Sequence, residues 1–187
     1  MRGTTIACLL PLAAFAVGCG GGERQDANEP SGSFALEVAQ AEFPAKQSLA
    51  EPTELRIQVK NTDSKALPNV AVTVNSFAKK STQPGLADPS RPVWIVDAGP
   101  EGGETAFVNT WALGKVEPGQ SKTFTWKVTA IQAGMQKLSY KVSPGLDGKA
   151  TPADGSKAGG SFTVNISREP AQASVDPETG EVIRGDS

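Results

Sequence analysis

The chain has 187 residues, with 18 Lys and Arg against 20 Asp and Glu and a formal net charge of −2 at pH 7. This balance offers no clustered basic face to neutralise phosphates, so no nucleic-acid partner is expected. Histidine is absent, which removes the commonest general base and metal ligand. The only cysteines, Cys8 and Cys19, lie near the N-terminus. No structural zinc, no disulfide in the body of the chain and no cofactor are therefore expected.

In chain order, the first element is an export signal, residues 1–18. Arg2 supplies a positive charge, and residues 6–17 form an apolar run broken only by Pro11. That run is too short to span a hydrocarbon core of ~30 Å, and it reads as a cleavable secretory signal. It ends Ala16-Val17-Gly18-Cys19. This segment resembles the lipobox of bacterial lipoproteins, in which small residues precede a cysteine that is lipidated and becomes the new N-terminus. The resemblance implies lipidation of Cys19 and a lipid anchor on the outer face of a bacterial membrane, since two or three acyl chains anchor stably. Gly20-Gly21-Gly22 and the polar run after it read as a tether, residues 19–33.

Strict apolar/polar alternation then marks half-buried strands through residues 34–167. Phe34, Leu36 and Val38 begin it; this first segment either pairs as an edge strand or belongs with the tether. Leu55, Ile57 and Val59 alternate with Arg56, Gln58 and Lys60, and Val70, Val72 and Val74 with Ala71 and Thr73. Phe124, Trp126 and Val128, then Leu138, Tyr140 and Val142, then Phe162, Val164 and Ile166 repeat the pattern. Asn61-Thr62-Asp63-Ser64, Leu67-Pro68-Asn69, Glu117-Pro118-Gly119-Gln120, Ala133-Gly134 and Asp147-Gly148 supply the turns. No helical period intervenes. The expected fold is all-β, an antiparallel Ig-like β-sandwich of about seven strands.

The runs Leu55-x-Ile57-x-Val59-x-Asn61-Thr62, Leu67-Pro68-x-Val70-x-Val72 and Val116-x-Pro118-Gly119-x-x-x-Thr123-x-Thr125-x-x-Val128 resemble the bacterial Ig-like modules of the CARDB type. What the resemblance implies is an extracytoplasmic adhesion, spacer or assembly role without catalysis, at the level of fold analogy.

An insertion, residues 77–105, breaks the regular spacing. Three prolines, Pro84, Pro89 and Pro92, make residues 77–92 a loop rather than helix or regular strand. Val93-Trp94-Ile95-Val96-Asp97 is a short apolar run, and residues 106–111 read as one further strand. Trp94, Trp111, Phe77 and Arg91 are the candidate binding residues, because aromatics dominate interface hot spots and stack on sugar rings. The plainer alternative, which is preferred, makes Trp94 and Trp111 core of the second sheet or a lid over one end. If either is exposed, Trp94 is the expected one, beside the Pro-rich loop. The nearby Asp88, Asp97, Glu101 and Glu104 have neither glycosidase nor calcium-loop spacing and read as solvated charges.

The tail, residues 168–187, is polar and reads as disordered or loosely docked. Its Asp176-Pro177-Glu178-Thr179-Gly180 is similar to a wall-sorting signal but lacks the leading Leu and a following apolar segment. The expected protein is thus a lipid-anchored, non-catalytic envelope module whose partners are the membrane and an envelope protein or glycan. Small-ligand or glycan binding through the aromatics of 77–111 is the alternative.

Overall fold

The computed structural model describes residues 26–82, 90–170 and 173–184. Residues 1–25 lie outside it, and with them the export signal and Cys19. Sixteen strands follow in order: β1 (Gly32–Phe34), β2 (Leu36–Glu42), β3 (Lys46–Leu49), β4 (Pro52–Asn61), β5 (Ala71–Thr73), β6 (Lys80–Thr82), β7 (Ser90–Pro92) and β8 (Trp94–Ala98). Then come β9 (Glu104–Phe107), β10 (Thr110–Ala112), β11 (Ser121–Ala130), β12 (Gly134–Ser143), β13 (Ala150–Pro152), β14 (Gly159–Pro170), β15 (Ala173–Val175) and β16 (Val182–Arg184). A single 3-10 turn, Asn75–Phe77, follows β5.

The alternation does what its period dictates. Leu55, Ile57 and Val59 of β4 and Phe124, Trp126 and Val128 of β11 are buried, while Glu54 and Arg56, on either side of Leu55, face water. Leu138, Tyr140 and Val142 of β12 and Val164 and Ile166 of β14 do the same from the opposite side. Two sheets result, in the orders β2-β4-β11-β8 and β3-β14-β12-β5-β10-β9. Their inner faces share one core, in which Trp111 of one sheet meets Trp126 of the other with ring centroids 5.5 Å apart. The fold is an all-β, Ig-like sandwich.

The strand count and pairing differ from expectation. Ten strands build the two main sheets rather than about seven, because β3, β8 and β9 are added at the sheet edges. Residues 106–111 do not form one strand. Val108 and Asn109 turn between β9 and β10, and Asn109 adopts φ 59°, a left-handed conformation that Asn tolerates. Nor is the sandwich wholly antiparallel. β3 runs parallel to β14, and β1 parallel to β13, because the chain crosses between sheets before pairing. Within the Pro-rich loop, residues 80–82 and 90–92 pair as a small ribbon, and residues 83–89 lie outside the described chain.

The long axis has two unlike ends. At the Asn61 end lie the start of β2, the finish of β4 and the start of β11, through the pairs Leu36–Asn61 and Lys60–Ser121. The Asn69 N–H bonds the Pro144 carbonyl at 2.9 Å, which brings the finish of β12 to the same end. At the Ala130 end, Pro52 lies opposite Thr129 and Gly134 opposite Ile166.

The expected tether and tail are both ordered in part. Glu29 Oε2 accepts the backbone N–H groups of Leu146 and Asp147 at 2.6 and 3.2 Å, and Gly32 N–H donates to the Lys149 carbonyl at 3.0 Å. Gly145 makes room for this: a Cβ there would stand 2.5 Å from Glu29 Oε2 and 2.8 Å from Ala150 Cβ. The chain is therefore docked on the Asn61 end from Asp26 onward. The tail carries β14 to Pro170 and then forms the β15–β16 hairpin. Asp176 Oδ1 caps the Glu178 and Thr179 N–H groups at 2.8 and 3.1 Å, and Gly180 at φ 72° lets the turn close. The segment similar to a sorting signal is thus a hairpin turn.

Candidate functional site

The structure places the four candidate residues of the 77–111 region apart from one another in role. Trp94 opens β8, whose pairing with β11 turns its side chain inward. It is 1% exposed, its Nε1–H donates to Gln47 Oε1 at 2.9 Å, and its ring meets Phe43 edge-on at 5.6 Å. Trp111 sits in β10 and packs edge-on against Trp126 and Phe77, at 5.5 and 6.1 Å. Gly99 permits this, since a Cβ on it would lie 2.8 Å from Trp111 Nε1. Phe77 is swung into the core by the 3-10 turn, which Ser76 Oγ holds on β12 by accepting the Ser139 N–H at 2.8 Å.

Of the two readings of Phe77, Trp94 and Trp111, their burial matches the preferred one, core, and not a binding patch. Their rings fill the space between the sheets, and Trp94, expected to be the exposed one only if either tryptophan is, is the most deeply buried of the three. Arg91 alone stays at the surface, on β7 opposite Ser81. Of the aromatics at residues 77–111, Phe107 alone is exposed.

The acidic residues serve turns and surfaces. Asp97 Oδ2 accepts the Thr129 hydroxyl at 2.6 Å, Glu101 is exposed, Glu104 lies in β9, and Asp88 lies outside the described residues. Backbone N–H groups of Ala35 and Lys65 hold the Asp63 carboxyl below its ordinary range. Lys149 does so for Asp147, through its side chain and its N–H, and the Glu178 and Thr179 N–H groups for Asp176. Burial pushes the Tyr140 phenol up. These downward shifts stabilise the charged carboxylate, the opposite of what a general acid at neutral pH requires. Among the described residues no group of three or more Cys, Asp and Glu is disposed to hold a metal ion.

Two features escape sequence reasoning. One is an open groove of about 520 Å³ on the side of the sandwich where β2 hands the chain to β3. Phe43 and Phe162 form its apolar wall, and Arg56 and Glu54 its polar one. Alternation puts Arg56 on the outer face of β4, but no sequence signal brings Phe162 of the other sheet beside it. Arg56 pairs with Glu54 at 3.1 Å, and both side chains stay about half exposed. The other feature is the distribution of exposed large apolar side chains: Ile95, Phe107, Val108, Met135, Val175 and Val182. Ile95, at the Thr129 level of β8, and Met135, at the start of β12, belong to the Ala130 half.

No protein-family model matches the sequence, and no curated protein matches it. Among solved structures, the CARDB domain of a Pyrococcus furiosus protein, determined in solution, is similar at 16% identity and a TM-score of 0.48, over 73% of this chain and 99% of that one. A crystal structure of that domain in complex with di-metal ions is similar at 16% identity and a TM-score of 0.44, over 75% and 100%. Escherichia coli alpha-2-macroglobulin, activated by porcine elastase, is similar at 14% identity and a TM-score of 0.43, over 74% of this chain and 10% of its own.

Proposed function

We propose that this chain is an exported lipoprotein, held on the outer face of a bacterial membrane by acyl groups on Cys19, whose sandwich is a non-catalytic interaction, adhesion or spacer module of the cell envelope. The observation that carries the reading is Ala16-Val17-Gly18-Cys19 at the close of a short apolar run. The folded domain supports it by position. Asp26 is already docked, seven residues after Cys19, so a short tether separates the two. The surface supports the binding part of the role, since exposed apolar side chains such as Met135 and Val108 suit contact with a protein partner.

The test is fractionation of cells making the full chain or its Cys19→Ala variant. Wild type is expected in the membrane fraction. The variant is expected to lose the acyl groups and leave that fraction, because one thiol is the attachment point. A variant that stays with the membrane as wild type does would overturn the anchor.

A further inference from the structure

We infer that the anchored chain stands on its Asn61 end, which faces the lipid headgroups, and presents its Ala130 end and C-terminal hairpin away from the bilayer. This inference rests on the lipidation of Cys19 proposed above.

The argument is one of lengths. Asp26 is seven residues from Cys19, so even a fully extended chain lets the docked segment rise only about 25 Å above its anchor. Asp26 belongs to the Asn61 end, through its carbonyl, which accepts the Glu29 N–H, and through Glu29 on the 146–147 turn. From there β14 runs twelve residues, Gly159–Pro170, toward the Ala130 end. At a rise of ~3.3 Å per residue that is about 36 Å. An inverted domain would have to lift the Asn61 end by at least that length, which the leash cannot reach.

Surface chemistry agrees. The exposed residues of the Asn61 end are polar, among them Ser64, Lys65, Gln120 and Lys149, and suit a hydrated headgroup layer. Of the exposed large apolar side chains, Phe107 and Val108 lie nearest to it, at the β9–β10 turn, where Phe107 pairs with Thr110, Thr110 with Thr73 and Thr73 with Lys141. Met135 and Ile95 lie in the opposite half, and Val175 and Val182 on the hairpin that follows β14.

The test uses the lipidated full chain in phosphatidylethanolamine–phosphatidylglycerol vesicles with a nitroxide quencher on the headgroups. Cys8 is lost with the signal and Cys19 is acylated, so an introduced cysteine is the sole free thiol. A fluorophore on Gln120→Cys is expected to be quenched, and one on Met135→Cys to keep its emission. Equal quenching, or stronger quenching at Met135, would overturn the orientation. Inserting about 20 Gly and Ser residues after Gly22 lengthens the leash beyond the domain. The difference between the labels is then expected to vanish, and its persistence would overturn the leash as its cause. Vesicle flotation separates the two claims. A chain that floats with equal labels refutes the orientation alone, and one that does not float refutes the anchor and the orientation with it.

Discussion

Trp126→Ala is expected to cost about 4 kcal/mol of stability and to lower the thermal midpoint by roughly 10 °C. Trp126 is fully buried at the centre of the aromatic cluster. It stacks on Phe124 at 5.8 Å and 13° between planes, and Phe77 and Trp111 meet it edge-on at 6.4 and 5.5 Å. Its partners come from both sheets, so no single strand can shift to fill the void, and removal leaves a cavity as well as lost transfer energy. Its Nε1–H has no acceptor among the described residues, which already counts against the folded state. Trp126→Phe removes that donor and keeps an aromatic ring, so its loss is expected to be well under half that of the Ala variant. Urea unfolding of both variants checks this. A loss under ~1 kcal/mol for Trp126→Ala would mean that the sheets are not joined through this cluster.

Asn61→Ala is the second large effect, expected at about 3 kcal/mol. Asn61 is fully buried at the end of β4, where a polar side chain survives only if satisfied. Its Nδ2 donates to the Lys65 and Val116 carbonyls at 2.8 and 2.9 Å, and its Oδ1 accepts the Asp63 N–H at 2.8 Å. One amide thus ties the 61–67 turn to the approach to β11, beside the Leu67–Val116 bridge. Alanine would orphan the Lys65 carbonyl and the Asp63 N–H, each costing about 1–3 kcal/mol where water cannot reach, and would take one of two donors from the Val116 carbonyl, which keeps the Leu67 N–H. Since Lys65 and Asp63 are partly open to solvent, the lower part of the summed range applies. Equilibrium unfolding is the measurement, and a change below ~0.5 kcal/mol would show that solvent satisfies these groups.

The long strands were legible because burial on one face alone writes itself as a period of two. Residues 55–60, 124–128, 138–142 and 162–166 lie within β4, β11, β12 and β14. Phe34, Leu36 and Val38 left pairing open, since an edge strand carries the same pattern as a loose one; β2 pairs with β4. What stayed hidden depends on contacts distant in sequence. Docking of the expected tether rests on Glu29 reaching residues 146–147, which no periodicity records. The 106–111 hairpin had one local signal, Asn109, a residue type that accepts φ above zero. The tail hairpin had a clearer one in Asp176-Pro177 and Gly180, where a capping carboxylate, a fixed φ and a glycine together specify a turn.

The candidate site was the least legible part. A short apolar run such as Val93–Asp97 carries the same aromatic whether it faces a partner or a core. Only the pairing of β8 with β11 and the Gln47 acceptor decide that Trp94 faces inward. Asn61 was visible as a turn residue, but its role in joining two loops needed Val116, 55 residues away.

The proposed lipid anchor is tested most directly by mass spectrometry of the N-terminal peptide of the chain purified from its own cells. Expected is a peptide that begins at Cys19 and carries a thioether-linked diacylglyceryl group on Sγ. A mature chain that begins elsewhere, or a Cys19 with a free thiol, would contradict it.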